Sequence, residues 1–326
     1  MSHETLSTKQ PILLFTDGEP DDIVALGLLR DCNVRMIIAG ESDAPMQAAR
    51  IAKYAQMLNM DTVIRPGFSS DRIFDAAGQE FTPPLTKVDQ CQDAVYGQDL
   101  VQLVERFTTF SKESDDPVVI ILKPPHELVA AFEEYPDQMR AAMSRVTCYA
   151  YGSFNFRQTF VSKHAEEEPK WDPKTRADVL NDFLCSFKRT YIYETYFVGE
   201  RVAHPDNMPL FYSALQASAH TFSQALSRLI SLWNQHIIHE LGHSQVADTI
   251  RAQIEEHPSQ MVLADFGLIA AMRWDNSNLK RAVSLSFTNR GYTTPHFNEN
   301  RGNLYIYTDL DLGSADKLMA EDIQQL

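Results

Sequence analysis

Short apolar runs alternate along the chain with stretches whose apolar positions recur every three or four residues. Ile12–Thr16 reads as a buried strand, and Asp22–Arg30, with Ile23, Leu26 and Leu29 at helical spacing, as the helix after it. Arg35–Ala39 predicts the next strand and Pro45–Leu58 the next helix. Thr62–Arg65 is strand-like and ends at the breaker pair Pro66-Gly67. Val118–Leu122 is a strongly apolar strand, a helix starts over Glu127–Glu134, and Val146–Tyr151 is a further strand. This alternation predicts an α/β chain with a mainly parallel sheet and helices on both faces.

The rest of the pattern is less regular. Phe68–Asp93 and Ser153–Asp172 are long polar or irregular stretches, of the kind that carry function or move. Ala214–Glu256 reads as largely helical, Met261–Ala264 as a short strand and Gly267–Arg273 as a short helix. Val283–Thr288 and Asn303–Thr308 read as two late strands joined by a polar loop. Tyr191, Tyr193 and Tyr196 alternate with other apolar residues, which fits a strand better than an aromatic cage. No internal repeat, low-complexity tract or linker divides the chain, so a single domain over residues 11–326 is expected after a polar, disordered N-terminus of residues 1–10.

Composition narrows the function classes. The chain has 326 residues, 44% of them hydrophobic and 22% charged, which is the balance of a globular protein with a substantial core. Its net charge of -15 argues against a nucleic-acid surface, which needs concentrated positive charge. No apolar run is long enough for a membrane span, and the polar N-terminus does not read as a signal peptide. Cys32, Cys91, Cys148 and Cys185 are widely spaced, without a C-x-x-C pair. That spacing points to a reducing, cytoplasmic setting rather than to disulfides or a cysteine zinc site.

The most informative segment is Ile12-Leu-Leu-Phe-Thr-Asp17-Gly-Glu-Pro-Asp21-Asp22-Ile-Val-Ala-Leu26. A buried strand ends in Asp17, a Gly/Pro turn follows, and two carboxylates open a helix. Open α/β sheets bind ligands at the carboxyl ends of their strands. Three aspartates within six residues repel one another unless a cation or proton intervenes, and a hard ion such as Ca²⁺ or Mg²⁺ relieves that repulsion. The alternative is plain helix capping, which accounts for Asp21 and Asp22 but not for Asp17.

Asp17-Gly-Glu-Pro-Asp21-Asp22 resembles the D-x-x-x-D-D signature of the inosine-uridine preferring nucleoside hydrolases. Further segments follow in that family's order. Ile38-Ala-Gly-Glu41 resembles its A-G-N, Ile64-Arg-Pro-Gly67 its V-Y-x-G, and Leu122-Lys-Pro-Pro-His-Glu-Leu-Val-Ala-Ala131 its T-G-P-L-T-N-I-A. Gly152-Ser-Phe-Asn155 resembles its E-F-N, Leu263-Ala264-Asp265-Phe-Gly-Leu its H-D-P-L, and Asn289-Arg-Gly-Tyr-Thr293 its T-R-G-Q-T. The resemblance implies the nucleoside-hydrolase fold, hydrolysis of the N-glycosidic bond of a small-molecule riboside, and Ca²⁺ or another divalent cation as cofactor. It implies Asp17, Asp22, the Leu122 carbonyl and Asp265 as metal ligands, Asp21 as the base that activates the attacking water, and Asn155 as a ribose contact. It also implies a homo-oligomer.

The departures from the family pattern fall around the sugar and the base. Phe15 stands where the family often has an Asp, Glu41 where it has Asn, Ser153 where it has Glu, and Ala264 where several members have the His that serves the leaving purine. Glu41 therefore brings negative charge to the substrate-binding side, which favours a neutral riboside over a phosphorylated one. The same departures keep a weakened, binding-only relative in view.

One motif stands outside this pattern. His239-Glu240-Leu-Gly-His243 matches H-E-x-x-H, which on a helix puts two imidazoles on one face for zinc with Glu240 as base. A zinc peptidase needs a third ligand, and the nearby candidates Asp248, Glu255 and Glu256 lack a familiar spacing. The motif also reads as an ordinary solvent-facing helix, or as a source of the general acid, His239 or His243, that Ala264 does not supply. Trp171, Trp233 and Trp274 could stack a base, but packing is the plainer reading of each.

Overall fold

A computed structural model describes residues 6–40, 44–67, 100–123, 125–151, 173–193, 205–240, 245–261, 263, 266–274, 277–287, 293–298 and 302–326. The first apolar run forms strand β1 (Ile12–Thr16), every residue of which is buried. It is followed by α1 (Pro20–Leu28), β2 (Val34–Ala39), α2 (Ala44–Met57), β3 (Val63–Pro66), α3 (Leu100–Phe110) and β4 (Val118–Ile121). Next come α4 (His126–Glu134), α5 (Pro136–Met143), β5 (Thr147–Tyr151), α6 (Pro173–Cys185) and β6 (Arg189–Tyr193). The C-terminal part holds α7 (Pro209–Ala217), α8 (Thr221–Glu240), α9 (Gln245–Glu256), α10 (Phe266–Trp274), β7 (Ser277–Phe287), β8 (Thr293–Phe297), β9 (Leu304–Leu310) and α11 (Leu312–Gln324).

The strands make one nine-stranded sheet in the order β3-β2-β1-β4-β5-β6-β9-β7-β8. From β3 to β9 every pairing is parallel, and only β7 runs antiparallel to its neighbours β8 and β9. The chain winds outward from β1 through β2 to β3, returns, and winds the other way from β4. The strand order therefore reverses between β1 and β4, which is where such sheets open a crevice for ligands.

Because side chains alternate along a strand, β1 feeds two cores. Ile12 and Leu14 join one apolar cluster with α1, α2, α7, α8, α10 and α11. Leu13 and Phe15 join another with α3, α4, α5 and α6. The expected α/β architecture with both faces covered is thus present. So are the predicted strands around β1 to β5 and the helical run after Ala214. Tyr191 and Tyr193 lie in β6, and Tyr191 stacks between Tyr149 and Tyr305 at centroid distances of 4.7 and 4.9 Å, a ladder across three adjacent strands. Tyr196 and the stretches Phe68–Asp93 and Ser153–Asp172 lie outside the described residues.

Two local differences from the sequence pattern have clear causes. The late part of the sheet holds three strands rather than two. β7 begins at Ser277, before its apolar alternation becomes visible, and β8 contains Pro295, which disguises a strand in sequence. Pro295 is tolerated because β8 is the edge strand. In Met261–Ala264 only Leu263 is described as making a bridge, with residues 262 and 264 outside the described set. Trp233 is buried, and Trp274 packs at the margin of the core under Arg273, as packing residues do. Among the described residues no helix is long and apolar enough to cross a membrane.

A long-range contact closes the C-terminal layer. Asp316 of α11 accepts hydrogen bonds from the amides of Phe211 at 2.7 Å and Leu210 at 3.1 Å, so a residue a hundred positions away caps the first turn of α7. With Pro209 opening that helix and no side-chain cap of its own, α7 depends on this carboxylate. Replacing it by alanine strands buried amide donors. Asp316→Ala is expected to cost about 1–3 kcal/mol in urea unfolding, and Asp316→Asn less, since one amide oxygen still accepts.

Candidate functional site at the switch point

The turn leaving β1 is built by its own sequence. Gly18 adopts φ +76°, the left-handed region that glycine enters without penalty, and Pro20 supplies the fixed φ suited to a first helical position. The amide of Glu19, the residue before α1, donates to Asp17 Oδ1 at 3.2 Å and to Asp22 Oδ2 at 3.0 Å. Thr16, the last residue of β1, donates its hydroxyl to Asp22 Oδ1 at 2.5 Å and accepts from the Gly18 amide at 3.3 Å. Asp22 is 1% exposed and Asp21 6%, while Asp17 is half-buried. Both acids of the first helical turn meet the positive end of the helix dipole. The capping role weighed for these acids is thus real for Asp22, whose carboxylate bridges the strand end and the helix start.

A cation lies behind this turn. Arg50 of α2 is 1% exposed, and its Nη1 donates to the Gly18 carbonyl at 2.7 Å. Its Nε and Nη2 are buried and have no hydrogen-bond partner among the described residues. Burial pulls this guanidinium below its ordinary range, while Tyr54, Asp17, Glu19 and Asp22 pull it back up. Tyr54 donates to the Ala225 carbonyl at 3.2 Å, and burial pushes its phenol up to about 12 against the pull of Arg50.

The opposite wall comes from β4 and α4. The Leu122 amide donates to the Phe15 carbonyl at 2.9 Å, which extends the β1–β4 pairing one residue beyond β4. Lys123 then forms an ion pair with Glu127 on the first turn of α4, its Nζ at 2.7 and 3.0 Å from the two carboxylate oxygens. Both side chains are fully buried. The Glu127 carboxylate stands over Gly67, just past β3, where a Cβ would lie 2.1 Å from its Oε1. The pair therefore sits along the carboxyl edge of the sheet, on the face opposite α1.

The third side approaches from the C-terminal half. Helix α10 packs against α1. Tyr212 of α7 donates to the Met261 carbonyl at 2.6 Å and accepts from the Met261 amide at 3.1 Å, tying down the segment that leads to α10. Burial raises the Tyr212 phenol, the Met261 carbonyl lowers it, and the charge of Asp21 raises it again.

The expected site residues are distributed as follows. Asp17, Asp21 and Asp22 share the turn after β1, and Leu122 follows the neighbouring strand β4. Asp265, Asn155, Glu41, Ser153, Ala264 and His243 lie outside the described residues. His239 falls in the last turn of α8, with its side chain outside the described set. Phe15 is fully buried in the core beneath α4, so that position packs rather than binds. Of the three carboxylates considered for zinc, all are exposed, and Asp248 pairs with Arg251 at 2.8 Å. Among the described residues no three His, Cys, Asp or Glu side chains are grouped so as to hold a metal by themselves. Sequence reasoning passed over Thr16, Arg50 and the Lys123–Glu127 pair. The signals present were a lone arginine on the apolar face of α2 and an i,i+4 charge pair directly after an apolar strand.

By sequence, the chain matches no protein-family model and no curated protein. By structure it is similar to the purine-preferring ribonucleoside hydrolase from Gardnerella vaginalis, with a TM-score of 0.62 and 12% identity over 97% of this chain and 98% of that one. An inosine-guanosine nucleoside hydrolase gives 0.62 and 14% identity over 97% and 99% of the two chains. The type III effector protein XopQ, complexed with adenosine diphosphate ribose, gives 0.61 and 15% identity over 98% and 95%. The fold of this chain is that of the nucleoside hydrolases, the matches covering 97–98% of it.

The buried ion pair makes a testable unit. Removing the ammonium in Lys123→Met leaves a carboxylate buried without it, which is expected to cost about 3–5 kcal/mol in denaturant unfolding. The double variant Lys123→Met/Glu127→Gln is expected to recover most of that loss, and equal losses in the single and double variants would show that the charge pairing is not what matters.

Proposed function

We propose that the protein hydrolyses the N-glycosidic bond of a riboside with the help of a divalent cation. The observation that carries this reading is the hydrogen-bonded, buried acidic turn at the switch point of a nucleoside-hydrolase fold. The donor set there suits a hard cation. Carboxylate oxygens dominate it, and Asp22 is oriented by the Thr16 hydroxyl and the Glu19 amide, as ligating carboxylates usually are. Asp17, Asp22, the Leu122 carbonyl and Asp265 would hold the ion. When bound, Ca²⁺ supplies charge that orients sugar hydroxyls and makes water more acidic.

The chain's own residues supply the remaining chemistry. Asp21, nearly buried at the start of α1, takes a proton from the attacking water as the C1′–N bond breaks and a C1′–O bond forms. The transition state is oxocarbenium-like, so negative carboxylates beside it are favourable. Tyr212 holds Met261 through hydrogen bonds to both its carbonyl and its amide. Asn155 and Glu41 would contact the ribose, and His239 or His243 would protonate the leaving base. The substrate is a small riboside rather than a nucleic acid, and the assembly a homo-oligomer. Cytoplasmic placement follows only from the cysteine pattern.

A second reading, a riboside-binding protein without turnover, is favoured by one observation: Phe15 is wholly in the core at a position where the resembled family often carries an Asp. One experiment separates the two. Purified protein with Ca²⁺ and a panel of nucleosides is assayed for free ribose, and calorimetry measures binding of the same nucleosides and of adenosine diphosphate ribose. Ribose release that stops with chelator, returns with Ca²⁺ and falls by about 10²–10⁴ in Asp21→Asn is expected. Binding with no ribose from any substrate would select the second reading.

A further inference from the structure

A buried guanidinium with unmet donors is costly, and a fold retains one where it has a task. Arg50 makes a single described hydrogen bond, to the Gly18 carbonyl, while Nε and Nη2 lack partners among the described residues. That one bond is made at the left-handed residue on which the whole turn pivots. Around it stand the charges of Asp17, Glu19 and Asp22. Arginine stays protonated in proteins, so its charge is permanent. Four acids fall within residues 17–22, Asp17 and Glu19 in the turn and Asp21 and Asp22 opening α1, and their charges repel one another.

We propose that Arg50 is the resident cation of the acidic turn, a positioning residue that holds Asp17–Asp22 in their ligand-ready arrangement when no metal is bound. The carbonyl contact fixes the pivot, and the fixed positive charge offsets part of the repulsion among the carboxylates. A divalent ion then meets a preformed site and spends none of its binding energy on folding the turn. The assignment rests on the proposed site only for what the turn is used for; the ordering role itself concerns the metal-free protein.

The test is amide hydrogen exchange of the full chain in EDTA, comparing wild type with Arg50→Met and Arg50→Lys. Arg50→Met is expected to accelerate exchange of the Gly18 and Glu19 amides by about tenfold or more, the loss of one hydrogen bond from a charged donor. Amides of β4 and β5 should keep wild-type rates, and Arg50→Lys should fall between the two because it keeps the charge but not the planar fork. Exchange at Gly18 and Glu19 unchanged in Arg50→Met overturns the proposal. So does acceleration spread equally through the sheet, which marks a general packing defect. Adding Ca²⁺ to Arg50→Met then addresses the other reading separately. Slowing by Ca²⁺ supports both, whereas acceleration confined to the turn that Ca²⁺ fails to reverse upholds Arg50 and counts against the metal site alone.

Discussion

The contact between Arg50 and the Gly18 carbonyl lies where the two main demands of this fold meet. β1 must be apolar on both faces to sit in the middle of the sheet, and the chain must then turn at once into a cluster of carboxylates. Hydrophobic burial cannot hold such a turn. Hydrogen bonds from Thr16 and Glu19 fix individual oxygens, but they leave the summed charge in place. A cation buried under the turn addresses the charge itself, and it comes from α2, the helix packed on the same face as α1.

Charge pairing recurs at two other places in this acidic chain. Lys123 and Glu127 neutralise one another on the far wall of the crevice. Asp322, near the end of α11, receives Arg30 at 3.1 Å and Arg273 at 3.3 Å, and Arg273 also donates to the Leu28 carbonyl. Burial raises the Asp322 carboxyl while the two arginines lower it. That cluster pins α11 to the ends of α1 and α10. In both clusters the acid stands beside a basic partner, whereas the buried Asp316 is held by backbone amides.

Legibility in the sequence followed the type of force involved. Strands β1 and β4 could be read because burial of every residue leaves short apolar runs, β2, β3 and β5 because β-branched and apolar residues are bounded by helical patterns, and the parallel α/β class follows from that alternation. β8 could not, because its Pro295 removes the strand signal and only its edge position makes that harmless. Asp17, Asp21 and Asp22 stood out because a local turn brings them together, within a few residues. Arg50 did not, because on α2 it occupies a core-facing place with Ile51 and Tyr54, where a helical pattern expects an apolar residue and says nothing of what lies opposite. Asp316 and the Tyr149–Tyr191–Tyr305 ladder were hidden for the same reason: their partners are far away in the chain, and spacing carries no information about them.

Structural similarity at TM-scores of 0.61–0.62 shows a common scaffold with the hydrolases and the effector, while identities of 12–15% leave the chemistry to be argued from the site. Asp22 shows how scaffold and chemistry can share one group. The Thr16 hydroxyl binds one of its carboxylate oxygens and the Glu19 amide the other, so the bonds that cap α1 also fix the orientation a ligand would need. The alternation of β1 shows in the same way why Phe15 serves the fold. Placed one residue before Thr16 on the alternate face of β1, it completes the core under α4 and takes no part in the acidic turn. Neighbouring positions of one strand are thereby divided between two tasks, core packing at Phe15 and the hydrogen bond that anchors Asp22 at Thr16.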